Sequence, residues 1–242
     1  VFDFLKNIDG TKVLAVADVM EDRAKQAAES YNSHVKIFRD YRDLLRLPEI
    51  DVINICTPSG LHARHSIDAL NAEKHVICEK PMCLNISDAD KMIDAVRNSN
   101  KKLFVIKQNR FNLPIKVLKD AVDKGMFGKI YSITSNVIWN RRPEYYKEEP
   151  WRGTKELDGG ALATQASHFI DIMTYIGGNA KSVYAKTEKF LHDIETEDTG
   201  AVVLQFQSGA FGIIHYTTCA YNKNIEGSIT VYSTQIAASS DK

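Results

Sequence analysis

The chain has 242 residues, of which 44% are hydrophobic, and its 31 basic side chains equal its 31 acidic ones. That composition supports a packed core of one large or two modest domains and excludes a disordered chain. The absence of a basic stripe argues against a nucleic-acid partner, no apolar run approaches the ~20 residues of a membrane helix, and residues 1–5, with Asp3 and no basic residue, do not read as a signal peptide.

Val1, Phe4, Leu5 and Ile8 recur at helical spacing. Residues 12–17 (KVLAVA) form a short apolar strand ending at Asp18. A helix is predicted over 23–31, with Glu21 and Asp22 near its start, where the helix dipole favours acid. Strands at 35–38, 51–56, 75–78 and 103–106 alternate with helices at 41–47, 65–72 and 88–99, and Ser87 is the expected cap of the last helix. Short apolar strands alternating with helices predict a parallel sheet covered on both faces. The pattern then changes. A helix at 114–124 stops at Gly125, a strand spans 130–139, a polar and aromatic loop spans 141–155, and an apolar helix spans 161–176 before Gly177-Gly178. Strands follow at 182–186, 199–206, 210–218 and 228–232, predicting a second, α+β domain. The boundary falls within 107–112, giving domains of 1–108 and 109–242. The tail 236–242 (IAASSDK) does not resemble the last strand of a sheet.

Glu79-Lys80-Pro81 follows the strand His75-Val76-Ile77-Cys78. It puts a lysine at the carboxyl end of a parallel strand, where open α/β sheets bind ligands. There an ammonium can hold a substrate hydroxyl and help move its proton. Thr164 and His168, four residues apart on the predicted helix, supply a second polar group, and Asp171 is placed to orient the imidazole. Gln108, Asn109 and Arg110 follow a strand end and are expected to face the substrate; Arg110 offers a planar fork for a phosphate or carboxylate. Trp139, Tyr145 and Tyr146 are either stacking platforms for a base or sugar or ordinary strand and loop aromatics.

Asp18 sits where a dinucleotide-binding fold keeps the acid that bonds the adenosine ribose, and a carboxylate there favours NAD over NADP. It is equally placed to cap the following helix. Such an acid lies about 20 residues beyond a G-x-G-x-x-G turn, and no such turn stands upstream of Asp18. The sequence is therefore expected to be a fragment that lacks its first strand and glycine loop. Cys56, Cys78, Cys83 and Cys219 form no metal-ligand pattern, so no metal is expected. Cys56 and Cys78 read as buried thiols at strand ends, and a reducing cytoplasm fits them.

Four segments together carry a family resemblance: CTPSGLHARHS at 56–66, VICEKPM at 76–82, KQNRFNLP at 107–114 and WRGTKELDGGALATQASHFIDIM at 151–173. In that order, on those predicted elements, the chain resembles the Gfo/Idh/MocA family of NAD(P)-dependent sugar oxidoreductases over residues 11–233. Within it, the segment at 151–173 looks most like nucleotide-sugar 3-dehydrogenases acting on UDP-N-acetylglucosamine or its uronate. The resemblance implies a Rossmann-like parallel sheet, here without its first strand and glycine loop. It also implies a second domain with a mostly antiparallel open sheet, incomplete at its carboxyl end, through whose free face a homodimer or homotetramer would form.

The resemblance further implies Lys80 and His168 as the catalytic pair, meeting on one substrate oxygen from two domains. Asp18, Thr57, Pro58, His62, Glu79, Lys80 and Arg152 would bind the cofactor, and Gln108, Asn109, Arg110, Thr164 and Gln165 the substrate. Many members carry Asp where Thr164 stands. A threonine cannot act as a carboxylate base, so the burden of proton transfer shifts to Lys80 and His168. The expected activity is NAD-dependent oxidation of a secondary hydroxyl, C3 of a nucleotide sugar. A dehydrogenase of a free sugar, cyclitol or dihydrodiol, and a non-catalytic ligand-sensing or assembly paralogue, remain open alternatives.

Overall fold

The computed structural model describes residues 5, 7–31 and 34–241. The helix expected from Val1, Phe4, Leu5 and Ile8 lies in large part outside them. The chain divides into two compact units: one gathers the described residues through Ile55 with Ala63–Cys78 and Ala89–Phe104, the other Cys56–His62, Glu79–Asp88 and Val105 onward. Thus the turns after two strands of the first sheet pack with the second unit.

The first unit alternates strand and helix. In chain order its elements are β1 (Ala15–Ala17), α1 (Glu21–Tyr31), β2 (Lys36–Phe38), α2 (Tyr41–Leu45), β3 (Val52–Ile55), α3 (His62–Asn71), β4 (His75–Cys78), α4 (Ile86–Ser99) and β5 (Leu103–Val105). Strand β1 pairs parallel with β2. Strand β3 pairs parallel with β4, Ile53 opposite Val76, and β5 lies on the far side of β4. Leu44, Leu45, Ile50, Ile55, Leu70, Val76 and Cys78 form one buried cluster, with Leu14 and Ala15 packed against it. Strand β3 has one strand neighbour among the described residues. This leaves Val52 41% exposed and Cys56 exposed, where a buried thiol was expected. The start of α4 is closed by Asn85, whose Oδ1 accepts the Asp88 N–H at 2.9 Å. Asn85, rather than Ser87, is the cap, because the helix begins a residue earlier than Ser87.

The second unit is built on a six-stranded mixed sheet. Its elements are α5 (Leu113–Asp123), β6 (Ile130–Ile138), α6 (Pro143–Glu148), α7 (Ala161–Thr164), α8 (Ser167–Gly177), β7 (Ala180–Glu188), β8 (Thr199–Phe206), β9 (Phe211–Thr217), β10 (Glu226–Ser233) and β11 (Ala237–Asp241). The strand order is β11-β10-β6-β9-β8-β7. Only β6 and β9 run parallel; the other pairs are antiparallel. Alternation selects one face. Val202, Leu204, Phe206, Ile214 and Tyr216 point inward and join Phe169, Ile172, Met173 and Ile176 of α8 in the larger core.

Three expectations are corrected here. The tail forms a strand after all: β11 pairs with Ser228–Tyr232 of β10, because small polar residues suit an edge whose neighbour offers unpaired N–H and C=O groups. The loop at 141–155 contains α6, begun by Pro143 at its first turn, a position where the missing N–H costs nothing. The helix expected over 161–176 is broken at Gln165-Ala166 into α7 and α8. No helix among the described residues is long and apolar enough to cross a membrane.

Candidate functional site

Strand β4 ends at Cys78, which is wholly buried, and the chain turns through Glu79-Lys80-Pro81. A helix end leaves its last carbonyls without intrahelical partners. The break after α7 therefore frees the Thr164 carbonyl, and Lys80 Nζ donates to it at 2.7 Å. Burial lowers the Lys80 pKa below its ordinary value, while the nearby Glu79 and Asp158 carboxylates oppose the shift. Lys80 and His168 lie in the same compact unit. The buried His168 stands on the first turn of α8, past the break. The helical-face argument that joined Thr164 to His168 therefore fails, and Lys80 itself bridges to this segment.

His62 is 1% exposed. Its Nδ1 lies 2.7 Å from the Pro81 carbonyl oxygen and its Nε2 2.8 Å from that of Thr57. Both ring nitrogens lie against carbonyl oxygens, and the ring pins the turn after β3 to the turn that carries Lys80. The same turn is fixed from its other side. Gly60 N–H donates to Leu157 O at 2.9 Å, and a Cβ on Gly60 would stand 2.0 Å from Glu156 O. Only glycine permits that approach.

Segment 153–160 also carries Asp158, which sequence reasoning did not single out. It is 6% exposed, and its Oδ2 accepts the Gly153 N–H at 2.9 Å. Burial raises its pKa, against the Gly153 N–H, the Thr164 hydroxyl and the Lys80 charge. Thr164 therefore touches both groups, through its carbonyl to Lys80 and its side chain to Asp158. Gly160, at φ 102°, starts α7 against Glu197, where any Cβ would meet the carboxylate at 2.1 Å.

Other expected residues are engaged within the protein. Arg110 forks onto Asp171 with two bonds of 2.7 Å and lies over the Tyr175 ring at 4.4 Å. This fork ties the turn after β5 to Asp171 of α8. Asn109 is buried in the 3-10 turn Gln108–Phe111, while Gln108 is exposed. Arg152 donates to Tyr145 O at 2.8 Å and Glu148 at 3.0 Å and stacks on Tyr145 at 4.1 Å. It braces its own loop. Trp139 packs edge-on against Phe169. The Tyr146 hydroxyl meets that of Thr218, and burial pushes its pKa up to about 12.

Gln165 follows Thr164 directly; its Nε2 donates to the Tyr145 hydroxyl at 3.1 Å and its Oε1 accepts from Arg141. Arg141, another residue missed in the sequence, follows the end of β6 as Arg110 follows β5. His192, Asp198 and Cys219 place one ligand-type atom each within 4.8 Å of the others. The Asp198 carboxylate already accepts the N–H groups of Phe190, Leu191 and His192, so it organises that loop.

In the first unit, Asp18 directly follows β1, and its Oδ1 accepts the Met20 N–H at 2.8 Å. It thus takes up the turn role that leads into α1. A carboxylate accepts about four hydrogen bonds, so its remaining lone pairs fit the hydroxyls of an adenosine ribose. Thr57 and Pro58, in the turn after β3, are exposed and half-buried respectively, with Pro58 extended at ψ 144°.

Two family models match the chain. Residues 3–107 match an oxidoreductase family with an NAD-binding Rossmann fold, and residues 115–238 match the Gfo/Idh/MocA C-terminal domain. The chain belongs to the Gfo/Idh/MocA oxidoreductase family. Its first region is that family's NAD-binding fold. Among relatives, a myo-inositol 2-dehydrogenase of Thermotoga maritima is 32% identical, over 92% of this chain and 66% of its own. Two solved structures are similar throughout. The WlbA dehydrogenase of Chromobacterium violaceum, in complex with NADH and UDP-GlcNAcA, has a TM-score of 0.94 and 38% identity, covering 99% of this chain and 70% of that one. The WlbA dehydrogenase of Bordetella pertussis, with the same two ligands, has a TM-score of 0.92 and 37% identity, covering 98% and 74%. The chain thus spans about two thirds to three quarters of these relatives' lengths.

Proposed function

We propose that this chain forms the core of an NAD-dependent dehydrogenase that oxidises a secondary hydroxyl, C3, of a nucleotide sugar of the UDP-N-acetylglucosaminuronate class. The observation that carries this reading is the Lys80 ammonium held at 2.7 Å on the Thr164 carbonyl, in the segment that also carries His168. The WlbA structures, which hold NADH and UDP-GlcNAcA, support the substrate class. Bound NAD would accept the hydride. Asp18 would hold the adenosine ribose, and Thr57, Pro58 and the Glu79 turn would line the remainder of the cofactor.

The chain's own part is the proton. Loss of hydride from carbon requires loss of the hydroxyl proton, and a cation near that oxygen stabilises the charge that develops. Lys80, whose lowered pKa favours the neutral amine, accepts the hydroxyl proton, and the ammonium so formed stays beside the oxygen. His168 aligns the same hydroxyl as donor or acceptor. Asp158 keeps a negative charge near Lys80, and the His62 and Gly60 contacts hold the turn still.

A second reading, a cyclitol dehydrogenase, is favoured by the Thermotoga relative. The apolar residues on the sheet's outer face, Val203, Phe211 and Ile213, support assembly into a homodimer or homotetramer. Four free cysteines support a reducing cytoplasm. The test is formation of reduced nicotinamide, followed by absorbance, with UDP-N-acetylglucosaminuronate, UDP-N-acetylglucosamine and myo-inositol offered in parallel. Turnover of the first supports the proposal. Turnover of myo-inositol alone replaces it with the second reading.

A further inference from the structure

Lys80, Lys107, Arg110 and Arg152 each have a carboxylate in contact or close by. Lys107 lies 3.8 Å from Asp171, Arg152 lies 3.0 Å from Glu148, and Lys80 sits in the field of Glu79 and Asp158. Arg141 differs. Among the described residues its side chain meets only neutral groups: Nη1 donates to the Asn140 carbonyl at 2.8 Å and Nη2 to the Gln165 side-chain oxygen. Its guanidinium also lies over the rings of Trp139, at 5.2 Å, and Tyr145, at 5.3 Å. The residue is half-buried, and its backbone N–H is anchored to Thr218 O at 2.8 Å.

The position matters. Gln165, which holds Arg141, is the neighbour of Thr164, which holds Lys80. A guanidinium carries five N–H donors in a rigid fork suited to carboxylate or phosphate. Two are directed at the neutral oxygens above, so part of the fork stays open. A half-buried charge without a counter-ion is costly, and an anion from a ligand would supply one.

We propose that Arg141 is the specificity residue of this site, receiving an anionic group of the substrate, a carboxylate or a phosphate, while the substrate's reacting hydroxyl lies at Lys80. This rests on the dehydrogenase reading above and goes beyond it by naming the residue that separates charged from uncharged sugars. The aromatic faces and the Gln165 side chain fix the plane of the fork, so an Arg-to-Lys change would keep the charge and lose the bidentate geometry.

The test is equilibrium binding by calorimetry, in the presence of NADH, to the wild-type chain, Arg141→Gln and Arg141→Lys. The ligands are UDP-N-acetylglucosaminuronate, UDP-N-acetylglucosamine, the free N-acetylglucosaminuronate and uncharged myo-inositol. Arg141→Gln is expected to weaken the anionic ligands about ten- to a hundredfold, with a smaller loss for Arg141→Lys and no change for any uncharged ligand that binds. A loss confined to the two uronates identifies the carboxylate as the group received; a loss confined to the two UDP compounds identifies the diphosphate. Equal binding of every anionic ligand by wild type and Arg141→Gln overturns the assignment and leaves the dehydrogenase reading intact. An equal loss for charged and uncharged ligands makes Arg141 structural, and also overturns it. Failure of the wild type to bind any anionic sugar removes the nucleotide-sugar reading, and the role of Arg141 with it.

Discussion

The two units of this molecule are made differently. Strands β1 to β5 are three or four residues long. Strand β2 and most of β3 are open to solvent, and burial concentrates at Ile55, Val76 and Cys78. Strands β6 to β10 are seven to nine residues long, and β8 and β9 alternate cleanly between core and surface. The short strands bring their polar residues to the turns at their carboxyl ends, as parallel α/β sheets do. The long sheet instead supports a broken helix packed across it, whose interruption exposes one carbonyl to Lys80. The turns after β3 and β4 belong to the second unit.

The comparison can be broken at the helix. His168→Asn keeps a hydrogen-bonding side chain on α8 but removes the titratable imidazole. Turnover is expected to fall about 10²- to 10³-fold, near the ordinary range for an acid–base group, with the thermal midpoint little changed. A fall below tenfold would leave α8 as a scaffold only.

Next in size is the pin. His62→Leu leaves the Thr57 and Pro81 carbonyls without their imidazole partner. A loss of about 2–4 kcal/mol of stability is expected, measured by urea unfolding. A loss under 0.5 kcal/mol would show that the two turns hold themselves.

The first unit can be probed alone. Asp18→Ala removes the proposed ribose acceptor and the Met20 turn bond, and NADH affinity is expected to drop about tenfold, or ~1.4 kcal/mol. Discrimination against NADPH should relax in the same titration, since the carboxylate repels a 2′-phosphate.

The smallest effect is on pH. Burial places the folded Lys80 pKa below 10.5. Between the folded value and 10.5 the unfolded chain binds more protons, so stability contributed by this group rises with pH there. Lys80→Met should flatten that rise in denaturation curves taken across the alkaline range. A slope identical to wild type would mean the ammonium is not desolvated.

Much of this was legible in residues. The run His75-Val76-Ile77-Cys78 before Glu79-Lys80-Pro81 marked both a buried strand and the lysine at its end, because apolar periodicity and a proline stop are local signals. Thr199 to Phe206 was equally plain. The break at Gln165-Ala166 was not: both residues are tolerated in a helix, and the partner of the freed carbonyl lies 84 positions away. Sequence shows the guanidiniums of Arg110 and Arg152 but not Asp171, Glu148 or Tyr145 facing them. Arg141 and Asp158 were passed over for the converse reason, since their burial and charge balance exist only after folding. The tail 236–242 read as polar loop because an edge strand needs so little apolar content.

The central claim is that Lys80 carries the proton in alcohol oxidation, and the most direct measurement is kcat for NADH formation from UDP-N-acetylglucosaminuronate by the wild type and by Lys80→Met, with folding of the variant verified by its circular dichroism. The account predicts a fall of about 10²- to 10⁴-fold in kcat with NADH binding retained. Wild-type turnover in the Lys80→Met variant would contradict it.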